Sequence, residues 1–187
     1  MKRFRQRVAA ALFLGALGIL PTGCELTRPT PAPVPERHAD ERVRLGDAWL
    51  FIPAGFSREA KEAELTLHLH GARDLVEARF VEAKQPGVLL NVTLPGLSSV
   101  YRNKFKDPSV FPKLLEQARV ELTQRGIRVK RFRKVTVTSF SAGFGGVREI
   151  LKFPPSFERI DSLVMADSIY AGYLGDLAVP EPPEEPI

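Results

Sequence analysis

The sequence predicts an α/β domain with a mostly parallel sheet flanked by helices. Three observations carry this reading. Short apolar or alternating stretches recur between residues 48 and 166, helical stretches separate them, and Gly or Pro closes most of them. Strands alternating with helices of about 10–15 residues imply βαβ units and right-handed crossovers. The 187 residues, 44% hydrophobic and 26% charged, fit one globular domain and argue against wholesale disorder. The sequence has no internal repeat.

Taken in order, AWLFI at Ala48–Ile52 is a short apolar strand closed by Pro53, Ala54 and Gly55. LTLHLH at Leu65–His70 alternates leucine with Thr66, His68 and His70, the period of a half-buried strand, and ends at Gly71. Leu75–Lys84 is helical, with Leu75, Val76, Ala78, Phe80 and Val81 set among charges. VLLNVTL at Val88–Leu94 is an apolar strand ended by Pro95 and Gly96. Ser109–Gln124 is the clearest amphipathic helix, with Phe111, Leu114, Leu115, Ala118 and Leu122 on one face and Gly126 as its stop. VTVTSF at Val135–Phe140 is β-branched and strand-like, Ala142–Lys152 reads as a helix despite its glycines, and Ile160–Ala166 is a further strand.

The first 42 residues read differently. Residues 1–7 form a cationic head, and Val8–Leu20 is apolar or Gly throughout. That run is too short to cross a bilayer as a helix but has the length of a signal-peptide core. Leu20 to Cys24 resembles a bacterial lipobox, which implies lipidation of Cys24 and an envelope location after export. Pro21 stands where that pattern has an aliphatic residue, and ordinary secretion with an idle thiol is the other reading. Pro29, Pro31, Pro33 and Pro35 then alternate with small or polar residues, which favours an extended tether. The expected organisation is a signal peptide over 1–23, a tether over 24–42, a domain over 43–178 and a Pro/Glu-rich tail over 179–187.

Charge narrows the function classes. The net charge of +5 owes much to Lys2, Arg3, Arg5 and Arg7 in the export signal, and the remaining bases and acids nearly balance. No electrostatic bias toward nucleic acid is left. A single cysteine excludes an intramolecular disulfide framework. No phosphate-binding glycine motif is present, and no acid or Cys cluster completes a metal site around His68 and His70, so neither metal nor cofactor is expected.

The chemistry is expected where strands end. Ser139-Phe140-Ser141-Ala142-Gly143 follows a strand and opens a helix. A nucleophile elbow needs small residues two before and two after its serine, because the sharp turn brings their backbones together. Ser139 and Gly143 satisfy that need, Ser141 would project its hydroxyl at a helix N-terminus, and Gly145 and Gly146 would let the helix approach neighbouring strands.

At these residues the chain resembles the α/β-hydrolase family, over roughly residues 48–172, with His70-Gly71 as the second matching element. The resemblance implies that Gly71 and Ala72, with Ala142 after the nucleophile, donate N–H groups to a tetrahedral oxyanion. It also implies that Asp167, after the last strand, orients a histidine. Asp161, at the beginning of that strand, is the poorer candidate. The family order requires a histidine after Asp167, and residues 168–187 contain none. His38 falls in the tether and His68 inside a strand, while His70 falls where the family supports its oxyanion loop and is the one histidine that could approach Ser141 as a base. The expectation is a fold incomplete toward the C-terminus, the alternative a non-catalytic relative.

Two more segments are candidates. Pro95–Asp107 reads as a loop at a strand end, with Tyr101, Arg102 and Lys104 available to a substrate. Arg125–Lys134 holds six bases, a patch for anionic lipid or polymer or, more simply, a solvated flank before a strand. The resulting expectation is an exported, lipid-anchored serine hydrolase of a small-molecule or acyl-ester substrate, with a non-catalytic binding or scaffolding lipoprotein as the alternative.

Overall fold

Residues 38–169 are described by the structure, a computed structural model. The strands are β1 (Glu41–Leu45), β2 (Ala48–Ile52), β3 (Glu62–Leu69), β4 (Val88–Val92), β5 (Arg131–Phe140) and β6 (Ser162–Ala166). The helices are α1 (Arg73–Glu82), α2 (Ser98–Phe105), α3 (Val110–Gln124), α4 (Phe144–Leu151) and the single turn α5 (Pro154–Phe157), with a 3-10 turn at Ser141–Gly143 before α4. The strands form one sheet in the order β1-β2-β4-β3-β5-β6. β3 pairs in parallel with β4 and β5, and β6 pairs in parallel with β5. β2 runs antiparallel to both β1 and β4. The fold is therefore α/β and mostly parallel, as expected from the sequence, with an antiparallel hairpin at one edge.

Alternation decides which face each strand buries. Leu65, Leu67 and Leu69 of β3, Val88, Leu90 and Val92 of β4, and Val135 and Val137 of β5 share one core with Tyr101, Phe105, Phe111, Leu115 and Leu122 of α2 and α3. Each fully buried leucine here contributes roughly 1.5–3 kcal/mol of transfer free energy. The opposite face carries a small cluster of Phe51, Phe80 and Leu89, with α1 across it.

Several elements differ from the sequence reading for identifiable reasons. Pro95–Asp107 is not a loop: α2 occupies it and buries Tyr101 and Phe105, four residues apart on one helix face. Lys104 pairs with Asp47 at 3.0 Å, and Arg102 is exposed on the helix surface. β5 begins at Arg131, so half of the six bases, Arg131, Arg133 and Lys134, lie on the strand. Arg131 lies opposite Glu62 and bonds it at 2.7 Å, and Arg133 pairs with Glu64. Arg125 pairs with Glu121 and Glu41. Acidic partners take up the charges of Arg125, Arg131 and Arg133, and the simpler reading of a strand flank describes these three.

The sheet also opens earlier than expected. β1 starts at Glu41, inside the stretch read as tether, because Arg42 reaches across to Glu77 of α1 at 2.6 Å. Glu77 is buried, whereas Leu75 and Val81, which look like the apolar face of that helix, are exposed. A buried acid in the helix stripe hides the periodicity. Phe80 makes an edge-to-face contact with Phe51 at 6.4 Å, and the Arg42 guanidinium lies 5.2 Å from the Phe51 ring centre.

This contact yields an expected outcome. Replacing Glu77 with Ala should cost about 1–3 kcal/mol, the low end for a buried ion pair because Arg42 is partly exposed and can be solvated. A lower urea midpoint with unchanged slope would show it. An unchanged midpoint would mean that the pair does not anchor α1.

Candidate functional site

The Ser141 turn is built by the end of β5 and the start of α4. Ser141 has φ 40°, a left-handed conformation uncommon for a residue with a side chain. Its neighbours explain how the strain is held. Ser139 is buried and paired with Leu69 of β3 and Met165 of β6, so a large side chain there would enter the core. A Cβ at Gly143 would lie inside the contact distance of the Leu69 carbonyl oxygen, so only glycine allows the turn to sit against β3. Gly145 approaches the Ser98 carbonyl in the same manner, and Gly146 faces Leu69 and Phe105, which lets α4 lie against α2 as well as β3. Ser141 is half-buried and opens the 3-10 turn, where the first N–H groups, that of Ala142 among them, have no intrahelical acceptor.

His70 and Gly71 follow β3 at the same edge, one strand away. The Leu69–Ser139 pairing places His70 beside Phe140, and their rings stack at 6.3 Å with planes 12° apart. His70 has φ 70° and Gly71 φ 154°, so the chain reverses sharply into α1, with Ala72 as its N-cap. The tyrosine expected in a cleft-lining loop instead supports this turn from beneath. Tyr101 is fully buried, and its hydroxyl lies 3.0 Å from His70 Nδ1 and accepts the Leu94 N–H at 2.8 Å. Burial raises the Tyr101 pKa, so the phenol stays neutral and can donate its proton to the Leu94 carbonyl at 3.3 Å.

His68 is half-buried and hydrogen-bonded through both ring nitrogens. Nε2 lies 2.8 Å from the His70 carbonyl and Nδ1 lies 2.7 Å from Thr138 Oγ1. A carbonyl only accepts, so Nε2 carries the proton, and in the neutral ring Nδ1 accepts from the threonine hydroxyl. Burial, the largest cause, lowers the His68 pKa from its ordinary 6.5, and the nearby His70 charge lowers it further against the opposing bond to the His70 carbonyl. With both nitrogens occupied, the metal reading of His68-Leu69-His70 has no ligand lone pair to offer at His68.

Asp167 sits at the end of β6 with φ 45°, exposed, at the same edge as Ser141. Ser168 beside it is buried and donates its hydroxyl to the Ser141 carbonyl at 3.2 Å, a support of the turn that no sequence motif announces. Asp161 belongs to the opposite edge, where its carboxylate accepts the Val135 N–H at 2.7 Å. No hydrogen bond among the described residues joins the Ser141 hydroxyl to a histidine. Cys24, the signal segment, the tail and residues 170–172 of the hydrolase resemblance lie outside the described residues. A cavity of about 570 Å³ lies between α1 and the sheet face carrying His68 and Thr138. It reaches His70, Gly71 and Ala72, but Ser141 does not line it.

The fold and this edge define a mostly parallel α/β protein in which a strained serine turn lies beside a glycine turn. No family model and no curated protein matches the sequence. Among solved structures, the siderophore hydrolase EstB from Aspergillus nidulans is similar at a TM-score of 0.42 and 16% identity, over 70% of this chain and 56% of that one. The chain thus spans little more than half the length of that neighbour. The fold class stands on the strand order and pairing described above.

Two outcomes follow from the geometry. Gly143→Ala must push the turn off the Leu69 carbonyl, at a cost of about 3 kcal/mol seen by thermal or urea unfolding, and a neutral substitution would refute the close approach. For His68, a folded pKa below the unfolded one means that the unfolded chain binds the proton more readily. Its contribution is present above the ordinary value of 6.5 and lost as pH falls through the lowered value. Between about pH 7.5 and about pH 5 the unmodified chain should therefore lose more stability than His68→Gln, and parallel profiles would contradict this.

Proposed function

We propose that this chain is the core of a serine hydrolase acting on ester or related acyl bonds. The observation that carries the reading is Ser141 at φ 40° between a buried Ser139 and a Gly143 that only glycine can occupy, opening a helix at the carboxyl edge of the sheet. Ser141 Oγ attacks the acyl carbon. The developing oxyanion is met by N–H groups of Ala142 on one side and of Gly71 and Ala72 on the other, which strengthen as charge develops. Asp167 stands at the edge where an acid orients the imidazole that takes the serine proton. Residues 168–187 contain no histidine, so that position in the order is unfilled within the chain. A serine hydroxyl without a base is a poor nucleophile at neutral pH.

Export and attachment to a membrane through lipidated Cys24 are part of the proposal, supported by the cationic head, the apolar run Val8–Leu20 and the lone cysteine. A non-catalytic envelope binding or scaffolding protein is the second reading, favoured by a Ser141 hydroxyl that has no histidine partner among the described residues.

Chemical rescue separates the two. Free imidazole should act as the missing base, raising the rate at which a fluorophosphonate or an activated ester reacts at Ser141 by at least tenfold, a fraction of the 10²–10⁴-fold that a positioned base supplies. Ser141→Ala should abolish the gain. A folded protein whose reaction with the probe is independent of imidazole and of Ser141 would leave the binding reading.

A further inference from the structure

We propose that His68 is a positioning residue that sets the direction of the Gly71 N–H, a role in catalysis that rests on the acyl-hydrolase reading above. The His70–Gly71 peptide is planar and trans, so its C=O and N–H point in opposite directions. His68 Nε2–H holds the His70 carbonyl at 2.8 Å from the α1 side of the sheet. The Gly71 N–H is therefore turned to the other side, where the Ser141 turn and α4 pack. The ring is itself fixed from behind. Thr138 of β5 bonds Nδ1 at 2.7 Å and lies 3.4 Å from the Leu67 carbonyl, so two neighbouring strands grip the imidazole.

Gly71 closes around this ring. A Cβ there would lie 3.1 Å from His68 Nε2 and 3.0 Å from Val76 Cγ2, tight contacts in a conformation that side chains rarely adopt. His70 and Gly71 both have positive φ, so the strand's own ladder does not define the turn, and a fixed carbonyl has to. The alternation of LTLHLH places His68 on the face away from the main core, beside Thr138 in the parallel register. A histidine at this position reaches a carbonyl two residues ahead while its other nitrogen takes the threonine. No other polar side chain holds the His70 carbonyl among the described residues.

Nitrogen-15 NMR of the unmodified chain near neutral pH should show His68 as the neutral tautomer with its proton on Nε2. An Nδ1–H tautomer would overturn the proposal, and this measurement stands however the variants behave. His68→Gln retains an N–H donor at the reach of Nε2, whereas His68→Asn is as polar and too short. The Asn variant should displace the Gly71 and Ala72 amide signals and speed their hydrogen exchange at least tenfold, with the Gln variant close to wild type. Unchanged Gly71 signals in the Asn variant would also overturn it. In the imidazole-supplemented reaction, His68→Asn should lower kcat by about tenfold or more with KM little changed, part of the loss expected when an oxyanion donor is removed, and Gln should restore it. A chain with no Ser141 reaction at all overturns the hydrolase reading, and the amide spectra then decide the positioning of Gly71 alone.

Discussion

The turn at Ser141–Gly143 runs so close to the end of β3 that no side chain fits between the Gly143 Cα and the Leu69 carbonyl. That approach ties together three parts of the molecule. It fixes the height at which β5 gives way to α4, and so where the Ser141 hydroxyl emerges. It brings the ends of β3 and β5 level, so that His70 and Gly71 flank Phe140 and Ser141. It also seats α4 against α2, where Gly145 meets the Ser98 carbonyl and Gly146 meets Phe105. The left-handed Ser141 is held because the surrounding packing leaves the turn no other course.

The supports around this turn are hydrogen bonds from side chains that do no chemistry of their own. Tyr101 steadies His70 from the core side while satisfying the buried Leu94 amide. His68 grips the His70 carbonyl from the other face. Ser168 reaches from the end of β6 to the Ser141 carbonyl. A site for acyl transfer needs its donors held before the charge develops, since reorganising dipoles during the reaction raises the barrier. The rigid neighbours here are of that kind, whereas the proton-accepting partner of Ser141 is absent from the described residues. On the proposed hydrolase reading, these supports would hold the oxyanion donors in place, and a base for Ser141 is the part not found among the described residues.

Much of this was legible from residue patterns. The alternation of LTLHLH, the β-branched run before Ser139 and the small residues around Ser141 report local backbone geometry directly, and strands, turn and sheet class follow from them. What escaped depends on contacts between distant residues. Glu77 is buried with Arg42 across from it and Arg73 beside it, so α1 shows no clean apolar stripe and β1 reads as tether. Tyr101 looks like a cleft residue until α2 folds it under His70, and Pro95 and Gly96 disguise the helix that follows them. The bases of β5 look like a patch because their partners, Glu62 and Glu64, are far away in sequence. Ser168 carries no motif, and its role appears only when β6 is laid beside β5.

On the proposed mechanism the N–H groups of Gly71, Ala72 and Ala142 converge on an oxyanion formed at Ser141. A crystal structure of the chain after reaction with a phosphonate ester in the presence of imidazole tests it most directly. The expected adduct has phosphorus bonded to Ser141 Oγ, with a free phosphonyl oxygen about 2.7–3.1 Å from the Ala142 nitrogen and from that of Gly71 or Ala72. An adduct on another residue, or one on Ser141 whose oxygens face away from all three amides, would contradict it.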